Sequence, residues 1–368
     1  MRLNRLLAGT LLLAAAVAAQ AQIRIGQTAG FTGAVAAGVK ETSDGARLYL
    51  DAVNARGGIN GQRIELVQLD DKFEPKLAAE NARKLIDQGV LALFLNRGTP
   101  HTQAILPLLA EHRIALVAPS TGAAALHQPV NTWVFNVRAT YQREAERVVR
   151  HLLTIGVTHI AIVQVDDSFG SDAVLGAQAA FAQTKIKPVA YEKYDRSKPD
   201  FSAIVPKLMQ ADPQAVLFIA SGAHMVEGVQ KLRAAGSRAQ MVTLSNNASS
   251  GFIKSLGEFA HGTIVSQVFP YERSIAVPIV QEAQELSKAK GAGNVTPSTL
   301  EGFAAAKVLV EGLRRAGKNL TRSGLRDALE GMKRVDIGGL EVSYGPTDHT
   351  GLEYADLSII GADGRFRR

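Results

Sequence analysis

Among side chains whose type and spacing could support chemistry, the run Gly312-Leu-Arg-Arg-Ala-Gly317-Lys318 comes nearest to a known motif. A phosphate-binding loop needs a Ser or Thr after that lysine to ligate magnesium, and a strand ahead of it. Here Asn319 follows, and the residues close a helical pattern rather than open one. Gly317 therefore reads as a helix terminator with basic residues well placed in the last turn. Gly26, Gly30 and Gly33 follow an apolar strand pattern. Their spacing, G-x-x-x-G-x-x-G, lacks the tight turn of a dinucleotide site, which leaves a flexible loop able to line a pocket. The eight histidines contain no H-E-x-x-H or comparable ligand spacing. His101 and His224 follow strands and could reach a ligand, although solvated or capping roles are commoner. The pairs Asp70-Asp71 and Asp166-Asp167 also follow strands. Such carboxylates can serve acid–base chemistry but more often cap a helix or bond a loop. With no G-x-S-x-G nucleophile elbow, the chain reads as a non-enzyme, with neither cofactor nor metal.

Two loops carry a more coherent signal. Asn96-Arg97-Gly98-Thr99-Pro100-His101-Thr102 follows the apolar run Val90–Leu95. Thr99 before Pro100 has the form of an N-cap followed by proline at the first helical position. Free amides there, with the Thr99 and Thr102 hydroxyls, would make a neutral anion-binding corner. Ala118-Pro119-Ser120-Thr121-Gly122-Ala123 follows the next apolar run and offers two hydroxyls beside a small glycine. Loops after neighbouring strands can converge on one carboxylate.

The elements that must position these loops alternate in type along the whole chain. Short β-branched runs such as Ile23–Gln27, Ile64–Leu69, Ile114–Ala118, His159–Val165, Ala215–Ala220 and Thr263–Val268 read as strands. Between them, Ser43–Asn54, Leu77–Gln88, Arg143–Ile155, Val174–Ala182, Met225–Ala235 and Thr299–Arg315 have helical period. The alternation predicts βαβ units and parallel sheets covered on both faces, with ligands bound beyond the carboxyl ends of the strands.

Arg2, Arg5, the apolar run Leu6–Ala19 and Ala19-Gln20-Ala21 have the form of a cleavable export signal. Residues 1–21 are expected to be removed after Ala21, releasing a soluble protein into the periplasm. The absence of cysteine excludes disulfides, thiolate metal sites and cysteine nucleophiles. The formal charge of +7 is spread along the chain without basic clusters or interleaved aromatics, so no nucleic-acid partner is expected. The length suits about two domains, and no low-complexity linker separates them.

The segments Ile23-Arg-Ile-Gly-Gln-Thr-Ala-Gly-Phe-Thr-Gly33, Asn54-Ala-Arg-Gly-Gly-Ile-Asn-Gly61, Leu69-Asp-Asp71 and Gly98-Thr-Pro carry a family resemblance. Val117-Ala-Pro-Ser-Thr121, Asp166-Asp-Ser-Phe-Gly170 and Gly361-Ala-Asp-Gly-Arg365 continue it to the end of the chain. The chain resembles type I periplasmic binding proteins of the branched-chain amino-acid-binding family, the substrate-binding components of ABC transporters. The resemblance implies an α/β fold of two Rossmann-like lobes with parallel-rich sheets, joined by three crossover segments and closing on ligand. Residues 22–139 with 268–342 would form the first lobe, and 140–267 with 343–368 the second. The crossovers would fall after Phe135–Arg138, near Gln267–Tyr271 and near Val342–Gly351.

Carried over by position, Thr99 falls where the family places a hydroxyl on the ligand carboxylate, and Ser120 and Gly122, beside Thr121, where the next loop completes that grip. Phe169 falls where the second lobe covers the ligand, and Phe269 and Tyr271 near a crossover wall. One position departs from the family: Ser245 stands where amino-acid binders present a carboxylate to the ligand ammonium. Asp166 or Glu227 would have to replace it, or the ligand lacks an ammonium. The implied function is capture of a small carboxylate-bearing organic molecule, an amino acid or an aliphatic or aromatic acid, by a monomer serving an ABC permease. An exported ligand-sensing subunit acting on a receptor or regulatory partner is the alternative.

Overall fold

The computed structural model describes residues 22–368; the expected export signal lies outside the described residues. Apolar runs become strands and the segments between them become helices. The first unit runs β1 (Ile23–Ala29), α1 (Ala36–Ala55), β2 (Ile64–Asp70), α2 (Pro75–Asp87), β3 (Ala92–Phe94), α3 (Thr99–Glu111), β4 (Leu116–Val117) and β5 (Val134–Phe135). All its pairings are parallel, in the order β2-β1-β3-β4-β5.

The chain then builds a second sheet. It runs α4 (Tyr141–Thr154), β6 (Ile160–Val165), α5 (Ser168–Ala182), β7 (Ala190–Tyr194) and α6 (Ile204–Ala211). It continues through β8 (Ala215–Ile219), α7 (Ala223–Ala234), β9 (Gln240–Thr243), α8 (Ser250–Leu256) and β10 (Ile264–Gln267). It returns to the first unit for α9 (Pro278–Lys290), α10 (Pro297–Ala316), α11 (Arg322–Glu330) and the short pair β11 (Val335–Asp336) and β12 (Glu341–Val342). Antiparallel β13 (Asp356–Ile360) and β14 (Phe366–Arg367) finish the second sheet, ordered β14-β13-β10-β9-β8-β6-β7. The fold is α/β with two parallel-rich sheets.

Local chemistry fixes the helix starts. The Thr140 hydroxyl accepts from Arg143 N, Asp167 accepts from Phe169 N and Gly170 N, and Thr296 accepts from Thr299 N ahead of Pro297. Gly317 ends α10, with φ at 80°, behind Arg314 and Arg315, as a helix cap and not a phosphate loop. At α3 the structure differs from the sequence reading. Gly98 is the capping residue, Thr99 is already helical, and the Thr99 hydroxyl bonds the Thr121 hydroxyl at 2.7 Å instead of a backbone amide.

Each sheet has its own core. In the first, α1 crosses α10 so closely that a Cβ on Gly302 would sit 1.7 Å from the Thr42 carbonyl oxygen. Phe303, Leu309 and Leu313 of α10 pack there with Ile25, Phe94 and Val117. In the second, Val163, Phe218 and Val242 pack with Val148 of α4 and Val229 of α7. Tyr344 and Leu352 belong to the first core: Tyr344 Oη donates to the Asn136 carbonyl at 2.6 Å, and Leu352 N to that of Val137 at 3.0 Å. The chain therefore stays with the first unit beyond the expected Val342–Ser343 boundary and crosses between Leu352 and Asp356.

Candidate functional site

Strands β3 and β4 are parallel neighbours, so the loops at their carboxyl ends meet. Leu95 and Ala118, which close the two strands, both have positive φ, at 53° and 52°. Such strain in side-chain-bearing residues gathers where surrounding structure enforces an unusual chain direction. Beyond this turn Arg97 pairs with Ser120, and Ser120 N donates to the Asn96 carbonyl at 2.7 Å.

The hydroxyls expected to hold a carboxylate are brought together but spend their bonds on the protein. Thr99 bonds Thr121. Ser120 Oγ accepts from Arg97 Nη1 at 3.2 Å and donates to Glu301 Oε1 at 2.7 Å. All three residues are buried. Gly122 does not expose its backbone to a ligand: a Cβ there would lie 2.6 Å from the Ala139 carbonyl oxygen, so the first crossover fills that space.

Below this corner lies a buried ionic network. Arg138, 1% exposed, bonds Glu144, reaches Ser245 Oγ at 2.8 Å and stands 3.8 Å from Glu301. Burial opposes its charge, yet Tyr141, Glu144 and Glu301 together outweigh burial and raise its pKa. Glu144 also accepts from Ser245 N at 2.9 Å and from Ser266 Oγ. Ser245 is thus tied into protein bonds at both its amide and its hydroxyl. Phe169 is buried edge-on to Tyr141, with ring centroids 4.7 Å apart. Phe269 packs in the first core, and Tyr271 Oη donates to the Phe366 carbonyl.

A cavity of about 380 Å³ opens beside the corner. Its walls are the Gly33–Gly38 turn after β1, Arg97 after β3, Gly222 and Ala223 after β8, and Asn246 and Asn247 after β9. All four are carboxyl ends of strands, where open α/β sheets bind ligands. The units touch at its edge, where Ala223 N donates to the Ala34 carbonyl at 3.0 Å. Gly222 permits that approach: φ is 51°, and a Cβ there would meet the Ala34 oxygen at 1.8 Å. A larger cavity, about 740 Å³, lies between the α9–α10 loop and the β13–β14 turn. Its lining comes mainly from α9, the α9–α10 loop and the β13–β14 turn.

The acidic pairs bond loops and cap helices. Asp70 accepts from Thr32 N and its hydroxyl, and Asp71 from Thr28 and Phe73 N. Burial pushes the Asp71 carboxyl up to about 6. Asp167 caps α5 and pairs with Arg196 at 2.5 Å, while Asp166 pairs with Lys193 on the exposed side. His101 stacks on Phe73, with ring centroids 4.3 Å apart; its burial, helped by Arg196 and Arg97, lowers its pKa to about 4. His224 is edge-on to Tyr194 and is also lowered by burial.

Sequence reading missed Arg97, Asn246 and Glu301 as functional candidates. The available signal, for Arg97 alone, was a charged residue two positions after the apolar run Val90–Leu95.

Two α/β units facing each other across a cavity at their strand ends define a two-lobed ligand-trapping protein. Residues 22–363 match the family model described as periplasmic binding protein. The chain belongs to this family, as a type I periplasmic binding protein of the branched-chain amino-acid-binding group. Leu/Ile/Val-binding protein homolog 3 of Brucella melitensis is 26% identical over 337 residues, covering 90% of this chain and 89% of that relative. A substrate-binding periplasmic protein from Ralstonia solanacearum superposes with a TM-score of 0.87 at 32% identity, covering 94% of this chain and 99% of its own. A possible leucine/isoleucine/valine-binding protein from Rhodopirellula baltica SH 1 gives a TM-score of 0.89 at 26% identity, with coverage of 96% and 98%.

Proposed function

We propose that the chain captures a small carboxylate-bearing organic molecule between its lobes in the periplasm. It delivers that molecule, chemically unchanged, to the membrane permease of an ABC transporter. The observation that carries this reading is the cavity at the strand ends, walled by loops of both lobes. A ligand there gains contacts from both lobes only when they close, which couples binding to a shape the permease can sense. Residues 1–21 serve as the export signal and the released protein acts as a monomer. Thr99, Ser120, Thr121 and Gly122 shape the floor of the site, with Phe169 and Ser245 supporting it from the second lobe. Phe269 supports it from the first core.

Native mass spectrometry of freshly purified protein tests this reading. The expected result is a retained small acid, released with its mass unchanged on unfolding. A product that accumulates with time from that acid would contradict simple capture.

A further inference from the structure

We infer that Arg97 is the charge anchor of the cleft and that its solute is an organic carboxylate lacking an α-ammonium. The inference rests on the solute-capture reading above. Two charged side chains line the cavity, Arg97 and Glu227. Glu227 is 39% exposed and has Lys231 Nζ at 2.7 Å, so its charge is already met. Arg97 is 5% exposed, and its guanidinium meets neutral acceptors: Ser120 Oγ at 3.2 Å and the Asn246 carbonyl at 2.6 Å. Among the described residues no carboxylate oxygen lies within 4.0 Å of it. A buried cation without a counter-ion is costly, and a ligand carboxylate removes that cost through charge-assisted bonds.

A second feature favours the same ligand. Helix α1 has no side-chain N-cap, and its first residues, Ala36, Ala37 and Gly38, line the same cavity as Arg97. The positive end of a twenty-residue helix dipole thus adds to the guanidinium.

An α-ammonium finds no buried carboxylate free to match it: Glu227, the lining carboxylate, is 39% exposed and pairs with Lys231. Glu144 is occupied by Arg138, Ser245 N and Ser266, and Glu301 by Ser120 and Arg138. Asp167 is paired with Arg196, and Asp166 with Lys193. Ser245 is held by Arg138. Among the described lining residues, Asn246 Oδ1 is the buried acceptor without a partner. One neutral acceptor cannot satisfy three ammonium donors, but it suits a hydroxyl or amide. Val35, Val226 and Phe252 give the remaining wall an apolar surface for a hydrocarbon skeleton.

Calorimetry with two matched pairs tests the inference: 4-methylpentanoate against leucine, and 3-phenylpropanoate against phenylalanine. In at least one pair the acid is expected to bind about tenfold or more tightly than its amino acid. Arg97→Gln should weaken that acid by about 10- to 100-fold, with Arg97→Lys recovering part of the loss. If Arg97→Gln does not fold, Arg97→Lys alone decides: it should fold and still weaken the acid, since a lysine cannot form the bidentate pair. Amino acids that bind as well as their matched acids in every pair that binds overturn the inference and leave solute capture standing. Failure of all four at about 5 mM, far above the range of such sites, overturns the carboxylate reading itself. Unchanged affinity in a folded Arg97 variant removes Arg97 as the anchor.

Discussion

Arg97 and Ser120 illustrate what a residue's neighbours in sequence do and do not disclose. The two Ser/Thr loops were legible because they follow adjacent apolar runs. That their hydroxyls bond one another and Glu301 was not, since Ser120 and Glu301 are 181 positions apart. Thr99→Val should therefore act mainly on stability, costing about 1 kcal/mol for one lost hydrogen bond, with a smaller effect on ligand affinity. Denaturant titration beside calorimetry separates the two; a loss confined to affinity would contradict this role. Buried histidines set a pH dependence. Burial lowers His127, helped by Arg138, and His101 to about 4, from an unfolded value of 6.5. Between those values the unfolded chain binds more protons, so stability is expected to fall as pH drops from about 6.5 to about 4. His127→Gln should flatten that slope in urea titrations across the window, and an unchanged slope would contradict the assignment. Asp71 acts in the opposite sense, because its folded pKa, about 6, lies above the unfolded 3.8. Its stability contribution is lost as pH rises from about 4 to about 6.

Elements were more legible than contacts, because apolar period and β-branching are local signals. The sheet strands appear near the runs that name them. Helix α1 begins at Ala36, well before the expected Ser43, because Ala36-Ala-Gly-Val-Lys-Glu-Thr42 lacks a clear apolar stripe. The first turn packs Val39 with Ala29, Val35 and Phe73, and from Thr42 onward α1 packs against α10, a pairing that local sequence does not encode. Gly302→Ala should be the sharpest probe of it. With the Thr42 carbonyl oxygen 1.7 Å from the new Cβ, the helices must separate. A cost of about 1–3 kcal/mol or more is expected, read as a lower urea midpoint. Wild-type stability would show that the helices have room to part. The third crossover falls just past the far end of the Val342–Gly351 region instead of at Val342–Ser343 for a related reason. Tyr344 and Leu352 are held to the first unit by backbone bonds to Asn136 and Val137, far upstream in sequence.

Across the whole molecule, Glu41 links the lobes apart from the ligand cavity. It projects from α1, accepts from Ser250 N at 3.0 Å, Ser250 Oγ at 2.6 Å and Gly251 N at 2.8 Å at the start of α8, and takes the Thr296 hydroxyl at 2.8 Å. Arg196 of the second lobe also lies 5.0 Å from the Phe73 ring centroid of the first. These contacts hold the lobes together, so Glu41→Ala should lower ligand affinity by about tenfold, the equivalent of one or two charge-assisted bonds. The melting temperature of the ligand-free protein should change little; equal affinity in calorimetry would show that Glu41 does not report closure. The central claim is that solute is captured between the lobes, and hydrogen exchange with and without the molecule released from the purified protein tests it most directly. The expected result is added protection in Gly33–Gly38 and Arg97–Thr102 of the first lobe together with Gly222–Val226 and Asn246–Ser249 of the second. Protection confined to one lobe, or centred on the Glu272–Val295 face of the larger cavity, would contradict it.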